Sequence, residues 1–115
     1  MDERRKSPAE RRRARRAPFV ASVSQRIGEE TDLALAQDLG ESGMQLRRLP
    51  GRAYLPQTPI VLAFELPDGG DLIQVRGAVV FERADGNYRH TGVRFEAISL
   101  GDRARIAHYL DTKLS

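Results

Sequence analysis

Apolar residues recur at every second position over Ile60, Leu62, Phe64 and Leu66, and again over Ile73, Val75, Val79 and Phe81. A period of two puts alternate side chains on opposite faces of an extended chain. The two runs are separated by Pro67-Asp68-Gly69-Gly70, so they read as strands joined by a turn. Phe81 is expected on the buried face and Gln74, Arg76 and Glu82 on the other; Gly77 signals a bulge or barrel bend. The pattern extends in both directions. Phe19, Ala21 and Val23 alternate with Ser22 and Ser24, predicting a first strand. Gly28-Glu29-Glu30 reads as a turn, and Leu33 to Ala36 as a second strand running toward Asp38. Gly40 and Gly43 bracket a tight bend, after which Met44, Leu46 and Arg48 alternate with Gln45 and Arg47. Residues 50–58 read as a connection, Asp85-Gly86 as a hairpin turn, and Val93 and Phe95 as a sixth strand.

The period changes only at the end. Ser99 followed by Asp102 is a capping arrangement, and Ile106, Leu110 and Leu114 form one apolar stripe on a helix of roughly three turns. Ser7-Pro8-Ala9-Glu10 has the same capping form, so a short helix is expected within residues 8–16. Six antiparallel strands and a helix predict an all-β fold with a terminal helix, a small barrel or sandwich whose open end or edge the helix covers. At 115 residues and 40% hydrophobic content the chain is one domain with enough apolar surface for a core.

Several function classes drop out. There is no cysteine, which excludes disulfides, thiolate metal sites and cysteine nucleophiles. No apolar run reaches the roughly 18 residues of a membrane span, and the charged N-terminus is no signal peptide, so a cytoplasmic location is expected. His90 and His108 lack the spacing of a metal pair, and His108 is expected on the helix surface. The carboxylates are scattered, and neither a P-loop nor GxGxxG is present. The reading is therefore a binding protein, not an enzyme, with no cofactor and no metal.

Charge is unevenly distributed. Residues 1–16 carry eight basic and three acidic side chains, or +5, while residues 17–115 carry −2. A basic arm on a near-neutral body attracts anions. Two segments then stand out: Glu10-Arg11-Arg12-Arg13-Ala14-Arg15-Arg16-Ala17-Pro18, and Asp38-Leu39-Gly40-Glu41-Ser42-Gly43. Guanidinium forks match phosphate oxygens and the O6/N7 edge of guanine, and they stack on flat bases. A carboxylate accepts from the opposite guanine edge, and glycines let the backbone approach a ligand closely.

In these segments the sequence resembles the PilZ domain, the bacterial receptor module for cyclic di-GMP. Arg12-Arg13-Ala14-Arg15-Arg16-Ala17-Pro18 is similar to that family's RxxxR motif in its RRxxRxP context. Pro18 favours Arg12 and Arg16 as the motif pair, although Arg11 and Arg15 share the spacing. Asp38 to Gly43 resembles [D/N]xSxxG, with Gly40 at the serine position and Ser42 two residues late. Thr91 to Ser99 and Asp102 to Leu110 resemble the family's last strand and helix.

The resemblance implies a six-stranded antiparallel β-barrel with a C-terminal α-helix. It divides the chain into a flexible basic arm over 1–10 and a domain over 11–115: the arginine motif at 11–18, the barrel at 19–98 and the helix at 99–114. It implies a ligand site of Arg11, Arg12, Arg13, Arg16, Asp38, Gly40, Ser42 and Gly43. Arginines would take phosphates and guanine edges, and Asp38 a guanine edge. The ligand, cyclic di-GMP, is often bound in the family as an intercalated dimer. Loss of the serine hydroxyl is expected to weaken binding about ten- to a hundredfold, and Gly40→Ser to tighten it.

Three functions compete. The first is a cyclic di-GMP adaptor whose arm orders on binding and signals to an unidentified protein effector in motility, pilus, secretion or exopolysaccharide control. The second is a degenerate PilZ-like interaction module that binds no nucleotide, favoured by Gly40. The third is a nucleic-acid-binding domain; the acidic body and the lack of a basic–aromatic strand face weigh against it.

Overall fold

The computed structural model describes residues 15–49 and 51–115. Their six strands are β1 (Arg16–Ile27), β2 (Glu30–Gly40), β3 (Gly43–Arg48), β4 (Pro59–Phe64), β5 (Ile73–Asp85) and β6 (Tyr88–Ala97). One helix follows, α1 (Leu100–Leu114). All pairings are antiparallel, and the strands close into a barrel in the order β1-β2-β3-β6-β5-β4. Closure rests on a short seam in which Ser24, Gln25 and Arg26 of β1 pair with Ala63, Leu62 and Val61 of β4.

Alternation builds the core. Phe19 and Val23, Ala34 and Ala36, Met44 and Leu46, Ile60, Leu62 and Phe64, and Ile73 and Val75 all point inward and are buried. Asp85 faces Tyr88 across a two-residue turn, where Gly86 adopts φ +60°, a value glycine reaches at no steric cost. Ser99 caps α1 by accepting from the Asp102 N–H at 3.1 Å. The helix packs on β1 and β2 and buries Ile106 and Leu110. Tyr109 meets Phe19 edge to face at 5.6 Å and donates to the Pro18 carbonyl at 3.0 Å.

Four expectations need correction. First, Arg16, Ala17 and Pro18 lie within β1, so the arginine segment runs into the strand rather than ending before it. The helix expected within 8–16 falls on residues outside the described ones up to residue 14, and Arg16 is strand.

The second correction concerns β5, where Phe81 is partly exposed and the Glu82 side chain only 4% exposed, the reverse of the alternation. The register shifts between Val79 and Phe81, and the extra residue, Val80, flips every later side chain. Another shift, between Arg76 and Gly77, agrees with the bulge signal of Gly77. Third, Leu114 is exposed, so the buried stripe of the helix ends at Leu110. Fourth, the helix spans 15 residues, nearer four turns than three.

Candidate functional site

Asp38 would point inward if β2 alternated without interruption after Ala34 and Ala36. A register shift between Ala36 and Asp38 prevents that. Leu39 takes the buried position, and Asp38 stays partly exposed. Its Oδ1 accepts from the Gln45 N–H at 2.9 Å and from Arg16 Nη1 at 3.1 Å. One bond fixes the carboxylate on β3, and the other ties it to the end of the arginine segment. The Arg16–Asp38 pair keeps side-chain exposures of 40% and 22%. An ion pair so open to water contributes about 0–1 kcal/mol, so little is lost when it opens.

β1–β2 pairing sets Arg16 opposite Gly40. A Cβ on Gly40 would lie 2.7 Å from the Arg15 carbonyl oxygen and 3.2 Å from Arg16 Cγ. A Cβ on Gly43 would lie 2.4 Å from the Val93 carbonyl oxygen and 3.2 Å from Arg16 Nη2. Both glycines therefore give up side-chain space to their neighbours, and the Arg16 side chain passes over both. This geometry weighs against the expectation that Gly40→Ser would tighten binding, because the new Cβ meets the Arg15 carbonyl oxygen and the start of β1 must shift to admit it. Ser42 sits on the β2–β3 turn, where its carbonyl accepts from the Phe95 N–H at 2.8 Å.

Of the sequence-derived site, Arg16, Asp38, Gly40, Ser42 and Gly43 come together at this end of the barrel. Arg11, Arg12 and Arg13 lie outside the described residues. Sequence reasoning missed three participants. Arg15 Nη1 donates to Asp111 of α1 at 2.6 Å, and Nη2 to Glu41 at 3.2 Å. The Asp111 hydrogen bond, supported by Glu41, raises the Arg15 pKa against the opposing effect of burial. Arg15 thus clamps the start of β1 between the helix and the β2–β3 turn. Only the alternative register, Arg11 with Arg15, hinted at it; nothing local marked Glu41 or Asp111.

A second polar cluster lies deep in the wall of the barrel. Arg48 Nη2 donates to Glu82 at 2.5 Å, and Thr91 and the Tyr54 N–H donate to the same carboxylate at 2.9 Å each. Burial pushes the Glu82 pKa up, but the bonds from Arg48, Tyr54 and Thr91 outweigh it and hold the carboxyl below its ordinary value. The Tyr54 ring covers the Arg48 guanidinium at 4.0 Å. With Arg48 Nε and Nη2, the Thr91 hydroxyl and the Tyr54 N–H all engaged within it, the cluster ties the barrel wall together. Among the described residues no group of His, Asp and Glu is placed to hold a metal, and no helix is long and apolar enough to cross a membrane.

The sequence profile of the PilZ domain matches residues 10–112. No curated protein matches the chain. Among solved structures, the inhibitor of motility MotI/DgrA of Bacillus subtilis superposes with a TM-score of 0.79 at 18% identity, over 86% of this chain and 49% of that one. The PilZ domain of YcgR from Escherichia coli, solved with c-di-GMP, gives 0.68 at 15% identity over 90% and 92%. Borreliella burgdorferi PlzA, in complex with c-di-GMP, gives 0.59 at 12% identity over 90% and 53%. The chain thus spans about half the length of MotI and of PlzA. At these identities the likeness is one of fold.

Proposed function

Because the chain belongs to the PilZ domain family, we propose that it is a cyclic di-GMP receptor that passes the signal to a protein partner. The observation that carries this is the seating of Arg16 opposite Gly40, paired with Asp38. A forked donor, a carboxylate acceptor and two glycines without side-chain bulk fit a guanine edge and a phosphate. Asp38 takes the N1–H and amino edge, Arg16 takes phosphate or the O6/N7 edge, and Arg11, Arg12 and Arg13 supply further phosphate contacts.

Magnitudes favour the exchange. The ligand replaces an exposed ion pair of about 0–1 kcal/mol with charge-assisted bonds of roughly 1.5–3 kcal/mol each. The ligand, as a monomer or an intercalated dimer, would draw the arginine segment against the barrel, and this conformational change is the signal. The outputs in view are motility, pilus, secretion or exopolysaccharide control, and a cytoplasmic location suits them.

The test is a calorimetric titration of cyclic di-GMP into the full chain and into Arg16→Ala and Asp38→Ala. Binding is expected, with both variants weakened roughly 10- to 100-fold. Absence of heat from the unsubstituted protein would refute the reading. It would leave the second one, a protein-interaction module without nucleotide, which Gly40 at the serine position favours.

A further inference from the structure

Outside the nucleotide site, the β1–β2–β3 wall carries an apolar face turned away from the core. Ala34 and Ala36 take the inward positions of β2, which leaves Leu33 and Leu35 on the solvent side. Register places Ser22 beside Leu35 and Leu35 beside Arg47. Leu33, Leu35, Leu49 and Tyr88 surround one shallow hollow of roughly 290 Å³. Leu33 also borders a groove of roughly 790 Å³ that reaches Val20 and Leu72. Val20, Leu33 and Leu49 are each 73% exposed. Scattered exposed leucines need no explanation, but a contiguous group of this kind marks an interaction site.

Arg47 identifies the chemistry of the occupant. Its guanidinium stacks over the Tyr88 ring at 4.8 Å. Its Nε is enclosed by the protein, out of reach of an incoming group, but among the described residues no carboxylate lies within 4.0 Å of the guanidinium to form an ion pair with it. Among the described residues no carboxylate lines the hollow. A stacked guanidinium among leucines is thus short of an acceptor, and a carboxylate supplies the strongest one. The same charge disfavours a second copy of the chain. A two-fold contact centred on the hollow would set Arg47 against its own equivalent, since the acids that border the same leucines, Glu30 and Asp32 beside Leu49 and Glu65 in the groove beside Leu33, lie outside the hollow.

We propose that this face docks a partner protein through an amphipathic segment that carries a carboxylate between apolar side chains. The apolar groups pack on Leu33, Leu35, Leu49 and Tyr88, and the carboxylate pairs with Arg47. This names the partner chemistry of the adaptor function and rests on that reading, although neither Arg16 nor Asp38 lines the hollow.

The experiment selects random displayed peptides on the full chain, then measures the enriched peptides by fluorescence anisotropy. The expected peptides share Asp or Glu flanked by apolar residues. Leu33→Asp should weaken them roughly tenfold or more. Arg47→Glu should do the same and gain binding to peptides whose carboxylate is replaced by lysine. Leu33 faces solvent and Arg47 is half-buried; if a urea midpoint shows either variant unfolded, Leu49→Asp, beyond the end of β3, takes its place. Enriched peptides without the carboxylate, or unaffected by all three variants, overturn the proposal. So does a concentration-dependent dimer in sedimentation that Leu33→Asp dissolves. Titrating the unsubstituted chain with cyclic di-GMP keeps the two readings apart, since absence of nucleotide binding there refutes the receptor function and not the docking face.

Discussion

Replacing Gly40 tests the site most directly, because the resemblance and the geometry predict opposite results. The family pattern has serine there, so Gly40→Ser should tighten nucleotide binding. The structure puts the new Cβ 2.7 Å from the Arg15 carbonyl oxygen, whereas ordinary contact begins at 3.4 Å. The start of β1 must therefore move by about 0.7 Å, and it cannot do so freely. Arg15 is bonded to Asp111 at 2.6 Å and to Glu41 at 3.2 Å, and Arg16 to Asp38 at 3.1 Å. Overpacking of this kind costs about 1–3 kcal/mol. In the free protein the segment can still relieve the strain by shifting outward at the cost of loosening these pairs, of which Arg15–Asp111 and Arg16–Asp38 are open enough to water to be worth little. The bound state needs Arg16 in place and bears the full strain, so affinity falls roughly 5- to 150-fold. Gly40→Ala isolates the steric effect and should show that loss. Gly40→Ser can regain at most one hydrogen bond, so it should bind no tighter than the unsubstituted chain. Calorimetry with cyclic di-GMP reads both, and urea unfolding should show little change in stability. Tighter binding by Gly40→Ser at unchanged stability would refute the reasoning.

Three other outcomes test the frame around the site. Glu82→Gln leaves the buried Arg48 charge without its partner and should lower stability by about 3–5 kcal/mol, read as a shift in urea midpoint. Glu82 titrates below its ordinary value in the fold. Its contribution is therefore fully present above about pH 4.5 and is lost as pH falls through the depressed folded value; acid unfolding of Glu82→Gln should lack that component. Asp68 is held at about 2, chiefly by hydrogen bonds from Arg105 and the Gly70 N–H. The turn it anchors on α1 should accordingly keep its Asp68 carboxylate signal, followed by NMR, well below pH 3.8. Ser99→Ala removes the cap of α1 and should destabilise by about 1 kcal/mol, seen as a lower melting temperature.

Much of this molecule was legible locally because strand alternation and turn chemistry are local. The runs Ile60–Leu66 and Ile73–Val79, the hairpin at Asp85-Gly86 and the cap at Ser99 each announce an element within a few residues. The two segments that meet at the site also stood out, since clustered arginines and a glycine-flanked aspartate are compositional signals. Their meeting follows from strand order: β1 and β2 are consecutive, so a hairpin brings residue 16 to residue 40.

What tertiary structure alone decided lies where partner strands impose a shift. The irregularity after Ala36 turns Asp38 out of the core, and Val80 turns Phe81 out and Glu82 in. A bulge arises from register against a neighbour, so a sequence read in one dimension continues the alternation through it. Arg48 finds Glu82 across 34 residues, and Arg15 finds Asp111 across 96. Such pairs form only once barrel closure and helix docking have fixed the distances. Short-range patterning thus determined which elements form and where the chemistry-bearing residues lie along the chain. Strand pairing decided which way each of those residues faces and which charge answers it.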